Sequence, residues 1–258
     1  MINFVAWCDT LESKVAGHSL TVMEGRSIDL AIARKSLAAV IPTHYAAEEH
    51  IARILERLGK KETANFILQK LPTSKSMRSG DLGEILATEY VTQQTGYAVP
   101  IKRLRWKDHR NMAMRGDDVI GILQDLTTGR LKFLKTESKS RAVLQAGVIA
   151  EARSALDKDN GVPSAHALSF ISERLAESGN TGLADAIDDA QLKHGIAPQS
   201  VQHLLFVFSG NSSGEKLAVA LKTYNGGISQ LGVALRIDGH VEFISAVYDL
   251  VTQNADDD

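Results

Sequence analysis

The chain has 258 residues, 44% hydrophobic and 23% charged, with 29 basic against 31 acidic side chains and a formal net charge of −2. Those proportions exclude the disordered, collagen-like and membrane-spanning classes, and the length is enough to bury a core without staples. Near-neutrality excludes coating of nucleic acid by bulk charge, and the single cysteine, Cys8, excludes an intramolecular disulfide and a thiolate zinc cluster, which points to a reducing, cytoplasmic setting.

In chain order, INFVAWC (2–8) and HSLTVM (18–23) predict two short strands, with turn chemistry at Gly17 and Gly25. The apolar start lacks a basic segment before it and is followed at once by Asp9 and Glu12, so no secretory signal is expected. Over 27–71 the spacing turns helical: Ile28, Leu30, Ile32 and Leu37, then Ile51, Ile54, Leu55 and Leu58, then Phe66, Ile67 and Leu71. Pro42, Gly59 and Pro72 punctuate that run into three helices. The polar TSKSMRSG (73–80) reads as a loop and as the boundary between a mainly helical N-terminal region, residues 1–75, and a second region, residues 76–258.

Beyond it a helix over 81–96 ends at Gly96, and three strand-like runs follow: YAVPIKRLRW (97–106), DDVIGILQD (117–125) and LKFLKTESK (131–139). The turn TTGR separates the last two. Helices are predicted over 142–157, 164–177 and 183–194, then strands at VQHLLFVFS (201–209), EKLAVALKTY (215–224) and SQLGVALRI (229–237), with HVEFISAVYDLV (240–251) passing from strand to helix. The order predicts an α/β protein, without internal repeats.

Charge is unevenly distributed. Lys102, Arg103, Arg105, Lys107, Arg110 and Arg115 are opposed locally by Asp108 alone, and Arg130, Lys132, Lys135, Lys139 and Arg141 by Glu137 alone. The acids gather elsewhere, at Asp185, Asp188 and Asp189 and in the tail Asp256, Asp257 and Asp258. A locally basic middle suits contact with a phosphate backbone.

Three acids stand out within that middle. Glu84 shares a helix face with Ala87 and Val91, a costly place for a carboxylate unless its charge is compensated. Asp118 precedes the apolar run VIGI, and Glu137 with Lys139 ends the next strand, two residues apart and therefore on one face. Hard oxygen ligands from a helix and two strands suit magnesium, which takes one or two carboxylates and completes its shell with water and substrate phosphate. A lysine beside them can hold the attacking water and offset charge on a phosphodiester, so the chemistry reads as metal-dependent phosphodiester hydrolysis. Singly, each element has an ordinary reading: an E-x-K ion pair on a strand surface contributes about 0–1 kcal/mol, GDD suits a turn, and Glu84 suits a helix surface. Their order and intervals together carry the functional reading.

The set G-E-x-x-A-x-x-Y (Gly83, Glu84, Ala87, Tyr90), G-Y (96–97), G-D-D-V-I-G (116–121) and E-S-K (137–139) resembles the restriction-endonuclease-like PD-(D/E)xK nuclease superfamily over residues 80–157. The resemblance implies a mixed sheet flanked by helices, with Asp118 and Glu137 as direct Mg2+ ligands (Mn2+ substituting), Glu84 as a metal or water ligand and Lys139 as the catalytic lysine. Asp117 stands where the superfamily carries proline and is the alternative ligand; Asp118 is preferred because it immediately precedes the apolar run. In length, in the helical segment before the core and in the phrase KTESKSR, the chain is also similar to the nuclease subunit of the Hachiman anti-phage defence system. That similarity implies a cytoplasmic DNA nuclease held in a heteromeric complex with a helicase partner. Arg115, Arg141, Lys135 and Arg105 are the candidates for DNA contact.

The remaining motifs carry less. The eight histidines are dispersed, and His44 and His50, six apart, do not share a helical face, so zinc is not expected. No G-x-x-x-x-G-K-[ST] run is present, so ATP hydrolysis is not expected. Trp106, among basic residues, is a core residue or a platform for a base, and Gln145 a helix-surface residue or part of the site rim. The alternatives to a defence nuclease are a restriction or repair nuclease of the same fold, and a non-catalytic nucleic-acid-binding or scaffold subunit in which the ion pair is structural.

Overall fold

The computed structural model describes residues 2–125 and 127–256, so Asp257 and Asp258 of the acidic tail lie outside the described residues. Two strands open the chain, β1 (Cys8–Val15) and β2 (His18–Gly25), followed by helices α1 (Leu30–Tyr45), α2 (Glu48–Leu58), α3 (Lys60–Lys70) and α4 (Lys75–Gln94). Next come β3 (Val119–Gln124), β4 (Leu131–Arg141), α5 (Ala146–Leu156), α6 (Ala165–Glu177), α7 (Thr181–Asp188), β5 (Val201–Ser209), α8 (Gly214–Thr223), β6 (Ser229–Arg236) and α9 (His240–Asp256). The six strands form one mixed sheet in the order β1-β2-β6-β5-β4-β3, antiparallel at its two outer pairs and parallel within. The expected α/β class with a mixed sheet flanked by helices is thus observed.

Alternation along the inner strands sends successive side chains to opposite layers. Leu204, Phe206 and Phe208 of β5 join the layer of α1, α4 and α9, while Leu205 and Val207 join that of α5 and α8. A further cluster places α6 and α7 against β3 and the start of β4. Such parallel strands, covered on both faces, read as continuous apolar runs, as VQHLLFVFS does.

Five sequence expectations are corrected, the first being HVEFISAVYDLV, expected to pass from strand to helix, which is helical from His240 onward as part of α9. INFVAWC forms a 3-10 turn, Phe4–Ala6, with the tilted rings of Phe4 and Trp7 packed together in the core, and the strand begins only at Cys8. TSKSMRSG is largely helical, because Ser74 caps α4 by accepting from the Met77 amide at 3.3 Å and the polar turns after it stay helical. YAVPIKRLRW pairs with β3 only through Ala98 and Ile122; Pro100 has no amide to continue the ladder, and a 3-10 turn, Arg103–Trp106, follows. EKLAVALKTY is helix α8, since parallel β5 and β6 need a crossover, and Leu217 and Leu221, four apart, bury against the sheet while Val219 is exposed.

Two glycines set the distances around the later site. A Cβ at Gly83 of α4 would lie 3.1 Å from both Ser138 Oγ and Ser140 Cβ, so the helix seats directly on β4. At Gly121 it would lie 2.9 Å from Tyr97 Cβ, which lets the chain after α4 cross close over β3.

Candidate active site

Helix α4 is buried continuously from Asp81 to Val91, and Glu84 within it is only 8% exposed. A buried carboxylate needs a counter-charge, and here it is Arg103, from the 3-10 turn. Arg103 Nε donates to Glu84 Oε1 and Nη2 to Oε2, both at 2.8 Å, a bidentate pairing. Nη2 also donates to Asp118 Oδ1 at 2.7 Å, and Nη1 to the Arg115 carbonyl at 3.3 Å. Burial opposes the charge of Arg103, but Glu84, then Asp118 and Glu137, outweigh it and hold the guanidinium above its ordinary value.

The β3–β4 register pairs Val119 with Thr136, so the next step outward sets Asp118 beside Glu137. The Ser138 amide closes the corner by donating to Asp118 Oδ2 at 2.9 Å. Glu137 Oε1 accepts from Lys139 Nζ, its neighbour on the same face. Burial first, and then the charge of Asp118, push the Glu137 carboxyl up to about 7 against the pull of Lys139 and Arg103. Burial likewise pushes Glu84 up to about 7, with Arg103 opposing.

The residues expected at the site therefore meet at one end of β3 and β4, joined by a residue that sequence reasoning left in the general basic run. Glu84, expected on metal or water, has both oxygens on Arg103. Asp118 faces the cluster, whereas Asp117 turns to the start of α6 and accepts from the Ser164 amide at 2.8 Å and hydroxyl at 3.0 Å. One signal could have found Arg103: a carboxylate on an apolar helix face requires a cation, and a cluster of cations follows it within twenty or so residues.

The same principle revises the basic run itself. Lys107 donates to both oxygens of Asp81 (2.9 and 2.7 Å), Lys102 lies 3.6 Å from Glu89 and donates to Thr43 Oγ1 at 3.0 Å, and Arg105 Nε donates to the Thr43 carbonyl at 2.9 Å. Much of the positive charge between 102 and 107 is thus internal counter-charge for the acids of α4. Of the four candidates for DNA contact, Lys135 is corrected outright. It is 1% exposed and gives its ammonium to the carbonyls of Lys158 and Val162, both at 2.9 Å, so no phosphate can reach it. Arg105 is half-buried; Arg115 and Arg141 are exposed on either side of the acids in sequence.

Trp106 is half-buried and packs edge-on to Phe170 with ring centroids 5.7 Å apart, under the guanidinium of Arg174. Gln145 sits just before α5, exposed. Cys8 is buried, with its thiol pushed up to about 12 by burial.

Among the described residues, no three histidine, cysteine or carboxylate side chains are placed to hold a metal together. Two carboxylates satisfy the protein's share of a magnesium site when water and phosphate supply the rest. Asp118 and Glu137 fit that share: they adjoin in register, Glu137 Oε2 accepts from none of the described residues, and each Asp118 oxygen, with one hydrogen bond from Arg103 or the Ser138 amide, keeps a second lone pair for an ion. Burial first, and only then the charge of Asp118, raises the Glu137 carboxyl, and a divalent cation would relieve the second of these. No described helix is long and apolar enough to cross a membrane.

Comparison with known proteins adds an independent line. The family model described as HamA matches residues 3–251. A relative described as "Hachiman protein HamA", from Bacillus cereus, is 27% identical over 252 residues, which is 95% of this chain and 88% of that protein.

Proposed function

The chain belongs to the HamA family, and from that premise we propose that it is a metal-dependent DNA nuclease of the PD-(D/E)xK type, the effector subunit of a Hachiman-type anti-phage defence complex. The observation that carries the nuclease reading is the corner of β3 and β4: two carboxylates from adjacent strands, Asp118 and Glu137, with an ammonium, Lys139, on the same face as Glu137. The defence role rests on the relative's name, and the helicase partner on the family resemblance.

In this reading Asp118 and Glu137 hold Mg2+, or Mn2+ in its place. The bound ion would supply a water of lowered pKa and a positive charge for the phosphodiester oxygens. Lys139 releases Glu137 as the substrate enters, positions the attacking water and faces the negative charge that develops on phosphorus. Glu84 holds Arg103 in place rather than touching the reacting atoms. Exposed Arg115 and Arg141 contact backbone phosphates, positioning the strand without reading its sequence.

The test compares wild type, Glu137→Ala and Lys139→Ala on plasmid DNA with magnesium and with a chelator, alone and with the co-encoded helicase. Cutting by wild type that needs the metal and vanishes in both variants supports the reading. Equal cutting by all three, or none by wild type even with the helicase, overturns it in favour of a non-catalytic subunit.

A further inference from the structure

Two-ion phosphodiesterases clamp the substrate between a pair of divalent cations, each needing carboxylates of its own. Asp118 is the shared member here, with Oδ1 on Arg103 and, one register step across the sheet, Glu137 on its other side. Resting on the nuclease reading, we propose that Arg103 is the resident cation of the Glu84–Asp118 half of the site, so that the protein loads one divalent ion, between Asp118 and Glu137, rather than two.

Four observations lead there. Both oxygens of Glu84 accept from one and the same guanidinium at 2.8 Å, in the planar geometry that matches a carboxylate to an arginine, so an ion there would have to displace a fixed charge, whereas Asp118 divides its oxygens between Arg103 and the Ser138 amide. The charge is permanent, because an arginine does not lose its proton in a protein, and a second divalent ion in the same place would meet it as a like charge. Arg103 is also held from both sides along the chain. Lys102 and Lys107 flank it and pair with Glu89 and Asp81, so three basic residues of one short segment engage three acids of a single helix. Finally, the other half of the site is built differently: the cation at Glu137 is a lysine, a flexible point charge that can give way, and the second oxygen of Glu137 is unengaged by the described residues.

Arg103 is then a positioning residue. It supplies, on a fixed side chain, the positive charge that a second ion supplies elsewhere, and it holds Asp118 at the angle from which that residue reaches the single ion. Glu84 serves the site by orienting Arg103 and is not a metal ligand.

The experiment counts manganese ions on the intact chain by calorimetry and by electron paramagnetic resonance, independently of DNA cutting. Wild type is expected to bind one ion. Glu84→Gln, which loosens the hold on Arg103 but removes no ligand, should keep that ion with a loss of affinity well short of the roughly tenfold or greater loss expected of Glu137→Gln, itself a ligand. Arg103→Met, which frees Glu84 and Asp118, should admit a second ion in competition with the proton that Glu84 otherwise takes up, and Arg103→Lys should not. Two ions on wild type, or a loss in Glu84→Gln as large as in Glu137→Gln, overturns the proposal and leaves the nuclease reading standing. No ion on wild type overturns both. Should Arg103→Met fail to fold, the wild-type count and the Glu84→Gln comparison still decide.

Discussion

Replacing Arg103 by methionine keeps most of the side-chain length and removes the charge. Lost with it are two bonds of 2.8 Å to Glu84 and one of 2.7 Å to Asp118, at side chains only 11% and 22% exposed. Deleting one partner of a buried ion pair costs about 3–5 kcal/mol, because the other is left charged and desolvated. Glu84 has an escape: its carboxyl stands at about 7 through burial even with Arg103 beside it, so without Arg103 it takes up a proton at neutral pH. Protonation sets the cost at the lower end, about 3 kcal/mol, which for a chain of this size lowers Tm by roughly 6–12 °C. The assay is thermal unfolding of wild type and variant at pH 8, 7 and 5.5. The deficit should be largest at pH 8 and shrink as pH falls through 7, since a protonated Glu84 in either protein no longer needs a cation. An unchanged Tm at pH 8, or a deficit that is the same at every pH, would refute the reasoning.

Three further outcomes follow from the same geometry. Burial raises the carboxyls of Glu84 and Glu137 from 4.5 to about 7; a group raised in this way contributes stability that is complete below pH 4.5 and lost as pH rises through 7, by about 3 kcal/mol for one such group. Glu84→Gln should therefore flatten the decline in Tm between pH 5 and 8, and an undiminished decline would count against burial as the cause. Lys135→Met, which leaves the carbonyls of Lys158 and Val162 without a donor and Asp117 without the ammonium 3.5 Å away, should cost about 3–5 kcal/mol, measured by denaturant unfolding. Its slope of log Kd against log salt on DNA should stay that of wild type, whereas Arg115→Ala and Arg141→Ala should each reduce the slope by about 1; fluorescence anisotropy over a salt series distinguishes them. Gly83→Ala places a methyl 3.1 Å from Ser138 Oγ and Ser140 Cβ; the overpacking of about 1–3 kcal/mol is offset by the roughly 1 kcal/mol that alanine gains over glycine inside a helix, so the net loss in the same unfolding assay should be about 0–2 kcal/mol.

Legibility differs sharply between neighbouring residues. The helical run 27–71 was readable from apolar residues at helical spacing, and β2, β4, β5 and β6 from short apolar-rich runs bounded by polar or turn residues, continuous in β5. EKLAVALKTY was not, since Leu217, Val219 and Leu221 satisfy a period of two as well as the helix in which they sit. Only the requirement that parallel β5 and β6 be joined by a crossover settles it. Residues 97–106 misled for the opposite reason: their β-branched and aromatic residues suit a strand, but a single bridge at Ala98 is all that the β3 edge accepts before the chain turns away.

At the site, the local sequence determined which side chains share a face. Glu137 and Lys139 are two apart on a strand and so emerge together, which follows from backbone periodicity; Glu84 is buried because α4 is covered on every side from Asp81 to Val91, which periodicity does not give. What each charge is for was decided only by the tertiary structure. Lys135 and Lys139 stand on one face of one strand, yet the first is sealed beneath two carbonyls from residues 158 and 162 and the second meets Glu137 at the rim. Arg103, in an irregular turn with no period to place it, becomes the partner of Glu84 and Asp118 across 19 and 15 residues of chain. Periodicity says in which direction a side chain points, but a buried charge takes its role from whichever opposite charge the folded chain brings within a few ångströms, and that neighbour is set by packing.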